Sequence, residues 1–434
     1  MNDGTSNEII DLSNDECDSD QSVENKLVEM GFDRNRVRNI LRQCNNDADQ
    51  ALDMLVTAAD IDTSTGNPPT FDGACEAQAS TSDTSLASVT VCTYNIWFEY
   101  PHTYDLRMEA LTSVASRGSD TTCSNEEDMP PPSILALQEV THPQSALLNH
   151  HLKPQGWRAL THQHCQQSYW TSMTTRNPCG AVCSAKTQLF ACGSNQGRAL
   201  LYGTISSPIG KVCCGTVHLE SFVPQFPAAE LVQMRLQQLQ ESGRVLLDEA
   251  KRHGHVLAVL VGDTNWEDSK GDRDGREALE VLGGEWRDVF IDAGCPDKAR
   301  YTSDGRVNAM LTHSYRLRLD RIFYWISPSR PDISLSAIRL VGKDPIPGQT
   351  LTKTVGGRNK SSGVVEVPLV PSDHFGLCAS FVGRRAEVEG SLGKRPLVPC
   401  VTHSGGSEEE KSEFASAKGQ EDEVRAARLR RFQS

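Results

Sequence analysis

No run of about 18 apolar residues occurs in the 434-residue chain, so no transmembrane helix and no membrane partner are expected. The opening Met1-Asn2-Asp3-Gly4 lacks the basic flank and apolar stretch of a secretory leader. The 14 cysteines lack a framework spacing, which points to reduced thiols in cytosol or nucleus rather than to disulfides. His162, His164, Cys165, Cys179 and Cys183 crowd one stretch, but their spacings fit no standard zinc pattern, and they read as loop residues. Bases are scarce at the start: residues 1–90 hold 18 Asp+Glu against 5 Lys+Arg. The net charge of −14 therefore belongs almost wholly to the N-terminal segment, and the rest remains able to meet a polyanion.

What is present falls into five segments. Residues 1–20 are acidic and polar and are expected to be disordered. Residues 21–58 carry helical periodicity in three pieces: Val23, Leu27 and Met30; Val37, Ile40 and Leu41; then Ala48, Ala51, Leu52 and Leu55. That predicts a small three-helix bundle. A Ser-, Thr- and Asp-rich linker follows over 59–86, and a charged tail occupies 384–434. Between them, 87–383 alternates strand and helix patterns. Strands are expected over 89–95, 134–137, 198–205, 212–217, 256–261, 317–325 and 377–382, and helices over 104–114 and 231–249. Stretches 116–133, 162–196 and 342–369 lack a pattern and read as loops. The interleaving predicts an α/β sandwich of two sheets.

Polar residues gather where these apolar strands stop. Asn95 ends the first, Glu139 follows the second, and Asp263 and Asn265 follow 256–261. Asp320 is expected inside the strand over 317–325, and Asp373-His374 precedes the last strand. Ligands of α/β sheets collect at strand ends, so these residues are the candidate site. Hard oxygen donors without zinc spacing favour Mg²⁺ over a softer metal. An Asp-x-Asn pair to aim a water and one histidine complete the chemistry of a phosphodiester hydrolase.

The motifs Thr93-Tyr-Asn95-Ile, Leu137-Gln-Glu139-Val, His218-Leu-Glu-Ser221, Gly262-Asp-Thr-Asn265, Leu319-Asp320-Arg-Ile-Phe and Ser372-Asp-His374 occur in this order. In order and wording they resemble the six motifs of the endonuclease/exonuclease/phosphatase superfamily, over about 87–383. The resemblance implies a Mg²⁺-dependent, four-layered α/β-sandwich of two mixed sheets flanked by helices, with Mn²⁺ as an alternative ion. His-Leu-Glu-Ser, Gly-Asp-Thr-Asn, Tyr301-Thr-x-Asp304 and Pro371-Ser-Asp-His-Phe-Gly376 are most similar to the branch that hydrolyses 5′-phosphotyrosyl bonds between DNA and trapped topoisomerase II. Met30-Gly31-Phe32 with Asn45-Asn-Asp47-Ala-Asp-Gln-Ala-Leu52 resembles a ubiquitin-associated domain, which precedes the catalytic domain in animal members of that branch. The expected partners are thus DNA with 5′-tyrosyl adducts, a topoisomerase II-derived peptide, and ubiquitin. The expected setting is DNA repair in the nucleus, with cytoplasm left open.

Carried onto these positions, the resemblance assigns the metal to Glu139, Asn95 and Asp373. Asp263 takes a proton from the attacking water, Asn265 orients it, and His374, fixed by Asp320, donates to the phosphoryl group. His218 and Ser221 become phosphate donors, and Arg198 and Arg235 candidate contacts to the DNA backbone. Two departures stand out: Trp97 where animal members carry Asp, and Ser303 where they carry Trp. Other superfamily activities (abasic endonuclease, deadenylase, lipid phosphatase) and an inactive ubiquitin-binding adaptor are the alternatives.

Overall fold

The structure is a computed structural model and describes residues 37–38, 41–42, 85–117, 129–163, 167–268, 276–311, 314–355 and 363–386. The chain divides into two units, Met1–Thr81 and Ser82–Ser434. In the first, residues 37–38 and 41–42 are helical, and Val37 and Leu41 are buried one helical turn apart. The rest of the bundle expected over 21–58 lies outside the described residues. So do the acidic segment 1–20, most of the linker 59–86 and nearly all of the tail 384–434.

In chain order the second unit contains β1 (Leu86–Asn95), α1 (Tyr104–Arg117), β2 (Ile134–Val140), α2 (His142–Leu152), β3 (Thr161–His162) and β4 (Trp170–Thr175). Then come β5 (Val182–Leu189), β6 (Ala199–Ser207), β7 (Gly210–His218), α3 (Ala228–Arg252), β8 (Leu257–Asp263) and α4 (Arg276–Leu282). Next are β9 (Arg287–Asp288), α5 (Val289–Asp292), β10 (Ser303–Asp304), β11 (Arg316–Leu317) and β12 (Asp320–Ile326). Among the described residues the last elements are β13 (Ser334–Val341), β14 (Thr350–Val355), β15 (Gly363–Pro368) and β16 (Gly376–Arg384).

Two mixed six-stranded sheets result, in the orders β13-β16-β1-β2-β4-β3 and β5-β6-β7-β8-β12-β9. Each has one parallel pair at its centre, β1 with β2 and β7 with β8. Parallel central strands are buried on both faces, and β8 and the first half of β2 show it as unbroken apolar runs. Successive side chains along such a strand serve two different cores. Val89, Val91, Ile134 and Ala136 of the first sheet meet Cys214, Val259, Val261 and Ile322 of the second, and this cluster glues sheet to sheet. Cys92, Tyr94, Leu135 and Leu137 point the other way, onto Met108 and Leu111 of α1 and Leu148 of α2. Cys213, Leu260 and Phe323 pack on Leu239, Leu246 and Ala250 of α3. Each such leucine, fully buried, contributes roughly 1.5–3 kcal/mol. Helix, sheet, sheet, helix: the four-layered sandwich is as expected.

Three expectations need correction. Two of the stretches read as loops contain strands: β4 and β5 lie within 162–196, and β14 pairs with β15 within 342–369. The strand expected over 317–325 is two elements. Leu317 belongs to a short ribbon with β10, and the chain re-enters the second sheet at Asp320, whose N–H donates to Thr302 Oγ1 at 3.0 Å. Asp320 therefore stands at a strand end, not inside a strand. Leu86 already pairs with Arg384, so the sheet begins inside the expected linker.

Candidate active site

The carboxyl ends of β1, β2, β7 and β8 and the start of β12 converge at one end of the sandwich. Register does the positioning. His218 and Asp263 end adjacent parallel strands as direct partners, and Asp263 faces Asp320 across the β8–β12 pair. Gly262 makes the first approach possible: at φ 139° its absent Cβ would lie 1.9 Å from the Val217 carbonyl oxygen. Glu139 sits in β2 at φ 62°, where the pairing with β4 is irregular. The kink turns its carboxylate toward the site. Thr141, Pro143 and Gln144 then start α2 with a capping box, which fixes the direction of the chain just after Glu139.

Asn95, Glu139, Asp263 and Asp320 are completely buried, and His218, His374 and Asp373 are nearly so. Asn95 Nδ2 donates to Glu139 Oε1 at 3.1 Å and to Asp263 Oδ2 at 2.9 Å. Its Oδ1 accepts from the Trp97 N–H at 3.0 Å. Glu139 Oε2 accepts from the Phe98 N–H at 3.3 Å. Asp263 Oδ1 accepts the Asn265 N–H at 2.9 Å, and Asn265, held at φ 47°, donates its side chain to the Leu219 carbonyl at 3.0 Å. On the other side, His374 Nδ1 meets Asp320 Oδ2 at 2.7 Å. Burial pushes the Asp263 carboxyl up, against the pull of His374. For His374, burial opposes the charged ring, but Asp320 and Asp373 outweigh it and raise the imidazole to about 10. A carboxylate behind Nδ1 leaves Nε2 as the outward donor.

Two expected site residues sit differently. Asn95, expected to ligate metal, turns its amide nitrogen to the Glu139 and Asp263 carboxylates, while its oxygen accepts the Trp97 N–H. Arg198, expected on the DNA backbone, is 5% exposed and lies behind His218, with Nη1 2.8 Å from His218 Nδ1. Arg235 does line the open pocket, and Nη1 donates to the Glu220 carbonyl at 2.9 Å. Ser221 lines it too, with its hydroxyl on Gln196 Oε1 at 2.8 Å. The pocket, of about 440 Å³, is floored by Asn265, Asp373 and His374 and walled by Phe222, Trp266, Tyr315 and Leu317.

Trp97 is buried among Met310, Leu351, Leu369 and Val370 beneath the β14–β15 ribbon, with the Arg107 guanidinium 5.3 Å from its ring centroid. Ser303 lines the pocket beside an exposed aromatic, Tyr315.

Sequence reasoning missed several residues. Buried Arg107 donates to the carbonyls of Ile96, Trp97, Glu99 and Pro371 and so pins both loops that carry site residues. Tyr169 stacks on Phe98 at 4.7 Å and lies beneath the Arg198 guanidinium at 5.1 Å, while Gln196 organises Arg198 and Ser221 together.

The buried oxygens fit a divalent cation in either of two places, at Glu139, which shares the Asn95 Nδ2 donor with Asp263, or between Asp263 and Asp320. Asp263, Asp320 and His374 offer ligand atoms within 4.8 Å of one another. Asp320 Oδ1 is buried with no hydrogen-bond partner. His374 Nδ1 is already engaged by Asp320 Oδ2 at 2.7 Å, so the carboxylate oxygens are the fitting ligands.

The sequence pattern of the endonuclease/exonuclease/phosphatase family matches residues 92–374, and that of the UBA/TS-N domain matches 19–55. Tyrosyl-DNA phosphodiesterase 2 of Xenopus laevis is 26% identical over 252 residues, covering 58% of this chain and 58% of that protein. The Xenopus tropicalis protein of the same name is 28% identical over 186 residues, covering 42% and 41%. The chain thus spans about half the length of these relatives. Among solved structures, D. rerio TDP2 complexed with single strand DNA product aligns at a TM-score of 0.52 and 19% identity, covering 68% of this chain and 99% of that one. TDP2 from Caenorhabditis elegans aligns at a TM-score of 0.53 and 19% identity, over 88% and 99%. At such identities the structural likeness is one of fold.

Proposed function

The chain belongs to the endonuclease/exonuclease/phosphatase family, and from that premise we propose that it is a Mg²⁺-dependent phosphodiesterase. Its substrate is the 5′-phosphotyrosyl bond between DNA and trapped topoisomerase II, and its product a 5′-phosphate, in nuclear repair of DNA breaks. The observation that carries this reading is one constellation: a hydrogen-bonded His374–Asp320 pair facing the Asp263–Asn95–Glu139 cluster, with Asn265 and an open pocket between.

Glu139, helped by Asp373, would hold Mg²⁺, with Mn²⁺ able to substitute. The ion supplies charge stabilisation to a phosphoryl oxygen. Asp263, made more basic by burial, accepts the proton of the attacking water, and Asn265 orients that water. His374 donates from Nε2 to a phosphoryl oxygen. His218 adds a further donor, and Arg235 offers a cation at the pocket for the DNA strand. Tyrosine leaves as a phenolate with pKa near ~10, so little help from an acid is needed. The match over 19–55 supports ubiquitin as a second partner, bound through the N-terminal bundle.

The test is cleavage of matched 5′-tyrosyl, 3′-tyrosyl and abasic oligonucleotides with Mg²⁺. Preference for the 5′-tyrosyl end is expected. Faster incision at the abasic site would make the chain a different phosphodiesterase of the same family, and no cleavage of any would favour an adaptor.

A further inference from the structure

The Arg198–His218 pair carries information that the reaction scheme does not use. A guanidinium has five N–H donors and no acceptor. With Nη1 at 2.8 Å from His218 Nδ1, the ring nitrogen must offer its lone pair. A proton on Nδ1 would face the Arg198 N–H head-on.

Arg198 has little freedom to turn away. It is buried, its Nε and Nη2 both donate to Gln196 Oε1, at 3.2 and 2.7 Å, and its plane lies over the Tyr169 ring. Gln196 is itself fixed, because its Nε2 donates to the Ser221 carbonyl at 3.0 Å and its Oε1 also accepts the Ser221 N–H at 3.2 Å. Opposite Arg198, His218 Nε2 lies 3.5 Å from Asp263 Oδ2 and 3.9 Å from Glu139 Oε1.

We propose that Arg198 is a positioning residue that fixes the tautomer of His218, keeping the single ring proton on Nε2, where it faces Asp263 and Glu139. His218 is then a neutral donor with one direction, unable to act as a base from Nε2. Its use toward a phosphoryl oxygen rests on the phosphodiesterase reading, whereas the tautomer itself does not.

The experiment is a long-range ¹H–¹⁵N correlation spectrum of the full chain labelled at histidine nitrogen, at neutral pH. The His218 signals are identified by their loss in His218→Gln. The expected spectrum has an unprotonated Nδ1 and a protonated Nε2. In Arg198→Met the signals should move toward the other tautomer or a mixture, and kcat on a 5′-tyrosyl oligonucleotide should fall at least about tenfold with little change in KM. Arg198→Lys, which keeps a donor, should retain the Nε2–H pattern. A wild-type His218 carrying its proton on Nδ1, or on both nitrogens, overturns the proposal, as does an Arg198→Met spectrum unchanged from wild type. Should Arg198→Met fail to fold, the wild-type and Arg198→Lys spectra still decide. The expected spectrum in a protein that cleaves no tyrosyl oligonucleotide would sink the substrate reading and leave the tautomer standing.

Discussion

The two histidines of the site are backed by groups of opposite sign, at nearly the same distance. His374 has a carboxylate behind Nδ1, Asp320 at 2.7 Å; His218 has a guanidinium there, Arg198 at 2.8 Å. A carboxylate needs a proton from the ring and favours the imidazolium. A guanidinium brings its own proton and needs the lone pair. One residue type thereby becomes a charged donor on one wall and a neutral donor on the other, and the second neighbour decides which.

Both donors are of use only around the shared carboxylate centre, so removing that centre should have the largest effect. Glu139→Gln and Asp263→Asn keep shape and remove charge. Each is expected to lower turnover by about 10²–10⁴-fold, in proteins whose thermal unfolding remains cooperative. Near-native turnover in either would end that residue's assigned role.

The comparison itself is sharpened by unequal losses. His374→Gln should cost about a hundredfold in kcat and His218→Gln about tenfold, because a charge-assisted hydrogen bond to a developing anion is the stronger. Equal losses would mean that the backing groups do not matter. The charged state of His374 also has a signature in stability. Its value of about 10 in the folded protein lies above the ordinary 6.5, so its contribution is full below about 6.5 and is lost as pH rises toward and through about 10. Urea unfolding between pH 7 and 10 should show wild type losing stability with pH, and Asp320→Asn losing less of it over the same range. Parallel curves would remove Asp320 as the cause.

Much of this site was readable in the chain before its fold was known. Asn95, Glu139, Asp263 and His374 are legible jointly, because each stands beside a strand in one ordered set of motifs, whereas singly an Asp or Asn at a strand end is most often a turn residue. The missing parts were invisible for physical reasons. β5 is exposed along most of its length and β15 likewise, so neither shows the alternation that burial imposes. The amide of Asn95 can face either way in a sequence, and only the Trp97 N–H settles it. Arg198 looked like a surface cation because nothing in composition tells a buried guanidinium from a solvated one. Gln196 and Tyr169 gain their meaning from hairpin register and loop path.

A smaller effect should leave the comparison intact. Trp97→Ala empties a buried indole site in the satellite cluster and is expected to cost about 3 kcal/mol of stability, read from denaturant unfolding. The ratio of His374 to His218 losses should be unchanged in that background. The smallest effect on catalysis should come from deleting residues 1–84: kcat on a tyrosyl oligonucleotide stays within about twofold, while ubiquitin binding, measured by titrating labelled ubiquitin, disappears. A large fall in kcat would tie the N-terminal unit to the chemistry.

The most direct test of the central claim, that water activated by Asp263 attacks phosphorus at a 5′-tyrosyl bond, is hydrolysis of a 5′-tyrosyl oligonucleotide in H₂¹⁸O with Mg²⁺ under single turnover. The label should appear in the 5′-phosphate of the DNA, with the tyrosine hydroxyl unlabelled. Label in the tyrosine, or a product 5′-phosphate without label, would contradict it.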